Sequence, residues 1–193
     1  MNLLFHCCCA PCAAGCIGRL AGEGIRPSLL WYNPNIHPWT EYQNRRDALV
    51  QFAASADLNL EVIDEYGLRP FIRAVYDEME NGPAFGSAGR CCRCYRLRLE
   101  QAASCAAKGG FDAFSTSLLV SPYQNHEALR SIGEELAGQY GVAFVYRDFR
   151  SGFREGQAAA RGMGLYAQKY CGCIFSEEER YTQLPKKREA AGA

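Results

Sequence analysis

The chain has 193 residues, 21 basic against 21 acidic side chains and a formal net charge of zero; 48% of it is hydrophobic and 22% charged. That length suits one domain whose core needs no covalent staples, and no apolar run approaches the length of a membrane span. The opening residues lack the charged-then-apolar pattern of a secretory signal, so the chain is expected in the cytoplasm, where its 11 cysteines serve metal or redox chemistry rather than structural disulfides.

In chain order, Leu3-Leu4-Phe5-His6 reads as a short buried strand running straight into Cys7-Cys8-Cys9-Ala10-Pro11-Cys12. Residues 12–21 follow as a helix stopped by Gly22 and Gly24, and residues 27–32 as a second strand, apolar as in a parallel sheet buried on both faces. Pro34 and Pro38 keep residues 33–38 a loop, and Thr40 is the expected N-cap of a helix with the stripe Tyr42, Leu49, Phe52 and Ala53. Residues 58–63 read as a third strand, and residues 69–79 as a helix with Phe71, Ile72, Val75 and Met79 on one face. The Gly- and Pro-rich residues 81–89 are expected to form a flexible connection.

A long helix over residues 91–108 carries Tyr95, Leu97, Leu99 and Ala102 and ends at Gly109-Gly110. Residues 111–119 read as a fourth strand, followed by a helix to about 136, and residues 142–149 as a fifth strand. A Gly-punctuated helix and a loop occupy residues 150–173. Residues 1–183 are expected to form a single domain and 184–193 a disordered tail. Strand and helix alternate throughout, the pattern of an α/β fold with a doubly wound, mainly parallel sheet.

In such a sheet, ligands sit outside the carboxyl ends of the strands, beside helix N-termini that favour a thiolate. Three groups of cysteines fall at element ends: Cys8, Cys9 and Cys12; Cys91 and Cys94; Cys171 and Cys173. Such short spacings let two thiolates reach one metal ion or cluster edge. A structural zinc takes four ligands, and these cysteines exceed that number. The favoured reading is therefore an iron–sulfur cluster with a second metal or redox-active thiols beside it, in preference to a structural zinc. Cys16 and Cys105 fall mid-helix among alanines and are expected in the core, and Cys7 and Cys92 are read as packing residues. His6 is expected to orient its neighbours rather than bind metal.

Several blocks carry a family resemblance: Phe5-His6-x-Cys8-Cys9-Ala10-Pro11-Cys12; Tyr32-Asn33-Pro34-Asn35-Ile36-His37-Pro38; Glu41-Tyr42 with Arg45; and Arg90-Cys91-x-x-Cys94-Tyr95-x-x-Arg98-Leu99. Further on come Asp148-Phe149-Arg150 with Gly152-Phe153, then Gly164-Leu165-Tyr166-x-Gln168-Lys169-Tyr170-Cys171-Gly172-Cys173-Ile174-Phe175-Ser176. In this order they resemble the QueH family of epoxyqueuosine reductases. The resemblance implies a HUP (adenine-nucleotide hydrolase-like) domain that reduces epoxyqueuosine to queuosine at the wobble position of tRNA. It also implies a [4Fe-4S] cluster, an adjacent mononuclear metal ion (iron, or zinc in its place) and no cobalamin. The partners so implied are tRNA carrying epoxyqueuosine and an unidentified electron donor, with neither DNA nor a membrane. ATP-using members of the wider superfamily carry a Ser-Gly-Gly-x-Asp-Ser type phosphate loop after the first strand; Cys8-Cys9-Ala10-Pro11-Cys12 stands there instead, so no ATP chemistry is expected.

Removing an epoxide oxygen to leave an alkene takes two electrons and two protons. Asp148, Tyr123 and His37, with His126, are the candidate acids. Asp148, at the expected end of the fifth strand, is also a candidate metal ligand, unless it only pairs with Arg147 or Arg150. Tyr32, Tyr123 and Tyr170 either pack or stack an unpaired base. Arg90, Arg93, Arg96 and Arg98 beside the second thiol pair, and Arg147, Arg150, Arg154 and Lys169 around the third, are basic enough to bind an anticodon loop. Of these, Arg90, Arg93, Arg150, Arg154 and Lys169 are the candidate RNA contacts. A thiol–disulfide or zinc module without RNA, and a sulfur-inserting tRNA enzyme on the same fold, are the rival readings.

Overall fold

Leu3-Leu4-Phe5-His6 is buried at all four positions because it forms the central strand of a five-stranded sheet. The computed structural model describes residues 1–81 and 87–182. Its strands are β1 (Leu3–His6), β2 (Ser28–Trp31), β3 (Leu60–Val62), β4 (Ala113–Thr116) and β5 (Ala143–Phe144), all parallel and ordered β3-β2-β1-β4-β5. Leu4 pairs with Ser28 on one side and Phe114 on the other. With neighbours on both edges and helices on both faces, β1 and β4 have no solvated side, which is why both read as unbroken buried runs. The order reverses direction at β1, where the chain passes outward to β2 and β3 and later returns beside β1 as β4. Crevices at such switch points are where open α/β sheets bind ligands.

The helices are α1 (Ala10–Gly22), α2 (Trp39–Ser55), α3 (Leu68–Asn81), α4 (Ser87–Lys108), α5 (His126–Tyr140), α6 (Phe153–Gly162) and α7 (Ile174–Thr182). α1 packs on α2 and α6, while α4 packs on α3, α5, β1 and β4. α1 and α6 approach so closely that a Cβ on Gly156 would lie 2.4 Å from the Pro11 carbonyl oxygen and 2.6 Å from the Gly15 nitrogen. That backbone-to-backbone contact fixes the start of α1, and with it the thiols just before it. Among the described residues no helix is long and apolar enough to cross a membrane.

Several elements differ from the sequence reading, each for a local reason. α2 begins at Trp39 with Pro38 as its cap, so Thr40 lies inside the helix. α4 extends back to Ser87, so Gly89 is helical and Cys91 lies inside the helix rather than at its start; the connection keeps only residues 82–86, which lie outside the described residues. The fourth strand stops at Thr116, whose hydroxyl accepts the Leu118 N–H (3.2 Å) and turns residues 117–120 into a 3₁₀ helix. The fifth strand is two residues long, not eight, so Asp148 does not end a strand. α7, over nine residues, is a helix that the sequence pattern does not announce. The tail at 184–193 lies outside the described residues.

Candidate active site

The thiols begin where β1 ends. The Cys8 N–H donates to Ser117 Oγ (3.0 Å), which ties the loop after β1 to the turn after β4 across the switch point. His6 completes that tie. Its Nε2 donates to the Tyr32 carbonyl (3.1 Å), so its Nδ1 accepts from the Thr116 hydroxyl (2.9 Å). Burial, helped by the charge of Arg98, holds the His6 ring at a pKa of about 4, so it stays neutral and orients the loop. Cys9 caps α1 in an extended conformation, and the first helical turn brings Cys12 back beside it. The Cys8 and Cys9 sulfurs are 3.8 Å apart, and those of Cys8, Cys9 and Cys12 all lie within 4.8 Å of one another.

These three buried thiols do not share protons equally. Hydrogen bonds from the Cys12 and Cys9 thiols, then from the Ser117 hydroxyl, with the charge of Arg98, hold Cys8 well below the usual thiol range against the cost of its burial. Cys12 is pushed up chiefly because its proton is held by Cys8, and Cys9 chiefly by burial. Of the three, Cys8 is the one whose ionisation its neighbours favour. Cys94, buried in a small cluster with Phe71, Val75 and Cys173, is pushed up to about 12 by burial, with the charges of Cys171, Cys173 and Cys91 adding to it. The second and third thiol groups are therefore within electrostatic reach of one another. Cys171 is pushed up chiefly by burial, with the charge of Cys8 among the smaller contributions, which links it to the first group.

Buried arginines hold this assembly in place. Arg45 donates through Nε to Glu41 (2.6 Å) and through its two terminal nitrogens to the carbonyls of Tyr170 and Cys171 (2.9 Å each). Gly172, at φ 136°, turns the backbone between Cys171 and Cys173, and a Cβ there would lie 3.1 Å from Arg45 Nη1. Ser176 N–H donates to Cys173 Sγ (3.4 Å) at the start of α7. Arg90 makes a two-pronged pair with Glu179 (2.8 and 3.2 Å) and lies over the Phe175 ring.

A cavity of about 710 Å³ opens beside the thiols. Cys8, Cys12 and Cys171 form part of its wall; Tyr123, Phe153, Lys169 and Arg180 line its outer part. Gln124 Nε2 donates to Cys171 Sγ and Gln168 Nε2 to Cys12 Sγ, each at 3.7 Å. Tyr123 is 82% exposed and meets Phe153 edge to face, an aromatic wall against which a base can stack.

The candidate residues divide accordingly. The structure brings Cys8, Cys9 and Cys12 together; Cys171 shares the cavity wall with Cys8 and Cys12, and Cys94 and Cys173 share a separate buried cluster with Phe71 and Val75. Cys7 is core, its thiol donating to the Phe5 carbonyl; Cys16 is buried, and Cys92 and Cys105 are half-buried against the core. Tyr123 and Lys169 reach the cavity, whereas His37 does not: it is buried against Tyr66 and Phe71, and burial lowers it to about 4. His126 is also spoken for, with Nε2 on the Ser121 carbonyl and Nδ1 near the Tyr146 hydroxyl. Asp148 is held at about 2, chiefly by Arg150, which binds both its oxygens; the pair is half-exposed and lines no part of the cavity.

Among the RNA candidates, Arg93, Arg154 and Lys169 are exposed and carry no ion pair among the described residues. Arg90 is buried and paired with Glu179, so it supports the thiol loop instead of facing a phosphate. Arg150 is tied to Asp148. The sequence reading missed the support given by Arg45, Glu41, Gln124, Gln168 and Ser117. Of these, only the Glu41–Arg45 pair had a readable signal, the i,i+4 spacing.

A family model described as "Epoxyqueuosine reductase QueH" matches residues 3–179. Curated proteins named epoxyqueuosine reductase QueH are similar over nearly all of the chain. One from Dehalococcoides mccartyi is 38% identical over 182 residues, covering 93% of this chain and 94% of its own. One from Thermotoga maritima is 36% identical over 195 residues, covering 97% of each. A crystal structure of a predicted tRNA methyltransferase subunit from Methanocaldococcus jannaschii has the same fold, with a TM-score of 0.51 at 13% identity over 97% of this chain and 88% of that one.

Proposed function

Because the chain belongs to the QueH family of epoxyqueuosine reductases, we propose that it carries out the two-electron deoxygenation of epoxyqueuosine in tRNA. The epoxide, two electrons and two protons give the alkene and water. The observation that carries this reading is the set of three buried thiols within 4.8 Å of one another, two of them on the wall of a cavity large enough for a modified base.

The donor set fits a [4Fe-4S] cluster with a neighbouring metal ion. Cys8, Cys9, Cys12, Cys91, Cys94, Cys171 and Cys173 are all soft ligands, three more than a cluster takes, which leaves enough for an ion with an open position. When bound, the cluster supplies single electrons from an external donor, and the ion supplies Lewis acidity toward the epoxide oxygen. The chain's own residues do the rest. Cys8, the thiol whose neighbours most favour its ionisation, offers a ligand at the smallest proton cost. Tyr123 carries a hydroxyl at the cavity rim and is the proton source favoured by position. Its ring, with Phe153, stacks the base drawn out of the anticodon loop. Lys169 and Arg180, which line the cavity, are the cations this reading assigns to phosphates flanking that base, with the exposed Arg93 and Arg154 as further contacts.

The test is a single-turnover assay with epoxyqueuosine-containing tRNA, anaerobically purified protein and a chemical reductant, read by nucleoside mass analysis. Queuosine should appear with wild-type protein and be lost with Cys8→Ala. Metal-loaded wild-type protein that binds this tRNA and yields no queuosine overturns the proposal.

A further inference from the structure

Three arginines are buried around the thiols, and they are not electrically equivalent. Arg45 has Glu41 and Arg90 has Glu179. Arg98 is 2% exposed, yet no carboxylate lies within 4.0 Å of it among the described residues. Its Nε donates to the Cys94 carbonyl (3.1 Å), its guanidinium lies 6.0 Å from the Tyr95 ring centroid, and its Nη2 has no hydrogen-bond partner. Residues four apart on a helix share a face, and side chains lean toward the N-terminus. Arg98 on α4 is thereby carried back over Cys94 toward the thiol end of the helix.

A cation buried this deeply, with one nitrogen unpartnered, is costly unless an anion is near, and a guanidinium cannot shed its proton to escape. The groups whose negative charge, once they ionise or bind metal, would act on Arg98 are the thiols of Cys94, Cys171 and Cys8, followed by the Tyr95 hydroxyl, while the His6 ring stays neutral. The carboxylates that neutralise the other two arginines have no counterpart here. What balances Arg98 is therefore the centre itself.

We infer that Arg98 is the counter-ion of the thiolate centre: its fixed charge offsets the negative charge that Cys8, Cys94 and Cys171 carry when they hold metal, and it raises the reduction potential of a cluster held there. The potential rises because an added electron is stabilised by a buried cation at short range. Arg98 acts through the thiols and touches no substrate, so it is a positioning residue. The inference rests on the cluster reading given above, and the experiment separates the two.

Iron and acid-labile sulfide are first measured in anaerobic wild-type protein, and the midpoint potential is then followed by spectroscopic titration in wild type, Arg98→Met and Arg98→Lys. Arg98→Met should lower the reduced-to-oxidised ratio at a fixed solution potential at least tenfold, about 59 mV for a one-electron couple. Arg98→Lys, which keeps the charge, should restore most of it. A wild-type protein without iron and sulfide overturns the cluster reading, and this inference falls with it. A loaded wild-type protein whose potential is unchanged in Arg98→Met overturns the role of Arg98 alone. If the methionine variant does not fold, the lysine variant decides. Wild-type iron, sulfide and potential in Arg98→Lys support the charge, and failure to load overturns it in favour of a role in shape.

Discussion

Arg45→Met is the sharpest test of how the thiol loop is held. The side chain is 1% exposed, and its partner Glu41 is 8% exposed, so neither charge is screened by water. Removing one member of a buried pair typically costs 3–5 kcal/mol, roughly, because the other is left uncompensated. Here the Tyr166 hydroxyl still donates to Glu41, which favours the lower half of that range. Two carbonyl bonds, to Tyr170 and Cys171, are lost as well, each worth about 1 kcal/mol. The expected loss is about 5–6 kcal/mol, a large part of the roughly 5–15 kcal/mol that a domain has. Urea unfolding of reduced, metal-free protein reads it directly. Arg45→Met with Glu41→Leu should be less destabilising than the sum of the single changes, by about 1–3 kcal/mol, because no unpaired charge remains. Both should bind less iron, since the Cys171–Cys173 turn is freed in each. A single-variant loss under about 1 kcal/mol, the range of exposed pairs, or strict additivity in the cycle, would refute the buried-clamp reasoning.

Replacing Cys8, Cys91 or Cys171 by Ala should each lower iron and sulfide per chain in anaerobic preparations; full content in all three variants would remove these thiols from the centre. His6 and His37 are each lowered to about 4 by burial, so between their folded pKa and the unfolded value near 6.5 the unfolded state binds more protons. Stability is therefore full above about pH 6.5 and falls by roughly 2 kcal/mol per ring on going from pH 7 to pH 5, a slope that His37→Phe should reduce in urea titrations. Asp148→Asn removes a half-exposed pair with Arg150 and should change stability by under about 1 kcal/mol; a fall in turnover far exceeding any loss of tRNA affinity would instead put this carboxylate in the reaction. Lys169→Glu and Arg93→Glu should weaken tRNA binding and flatten its salt dependence in filter-binding titrations, and an unchanged slope in both would take RNA off this face.

The parts of the fold governed by short-range pattern were readable, and the parts set by partners were not. β1, β2 and the thiol spacings declared themselves because a doubly buried strand has no polar alternation and because Cys-x-x-Cys places two sulfurs on one side of a turn. The run over residues 142–149 looks equally strand-like, but its neighbour β4 ends at Thr116 and leaves little to pair with. Asp148 was misplaced for that reason. α7 carries Glu177-Glu178-Glu179-Arg180 and buries no residue, so it has no apolar stripe from which to read a period. Arg45, Arg90 and Arg98 look like any charged helix face in sequence; their burial depends on the thiol loop and the helices that close over them.

That burial also changes the account of which cysteine is ionised. A helix N-terminus was the sequence-level reason to expect a thiolate, and by that reason Cys12, in the first turn of α1, or Cys9, at its cap, should hold the charge. The surroundings favour neither: both are pushed up, and Cys8, outside the helix, is pulled down. The magnitudes explain the reversal. A helix terminus offers about 0.3–1 kcal/mol, whereas each hydrogen bond to a charged group offers about 1.5–3 kcal/mol. Cys8 has three thiol or hydroxyl donors, from Cys12, Cys9 and Ser117, with the field of Arg98 adding less. The helix sets where the thiols stand; the donors and the buried cation decide which of them carries the charge.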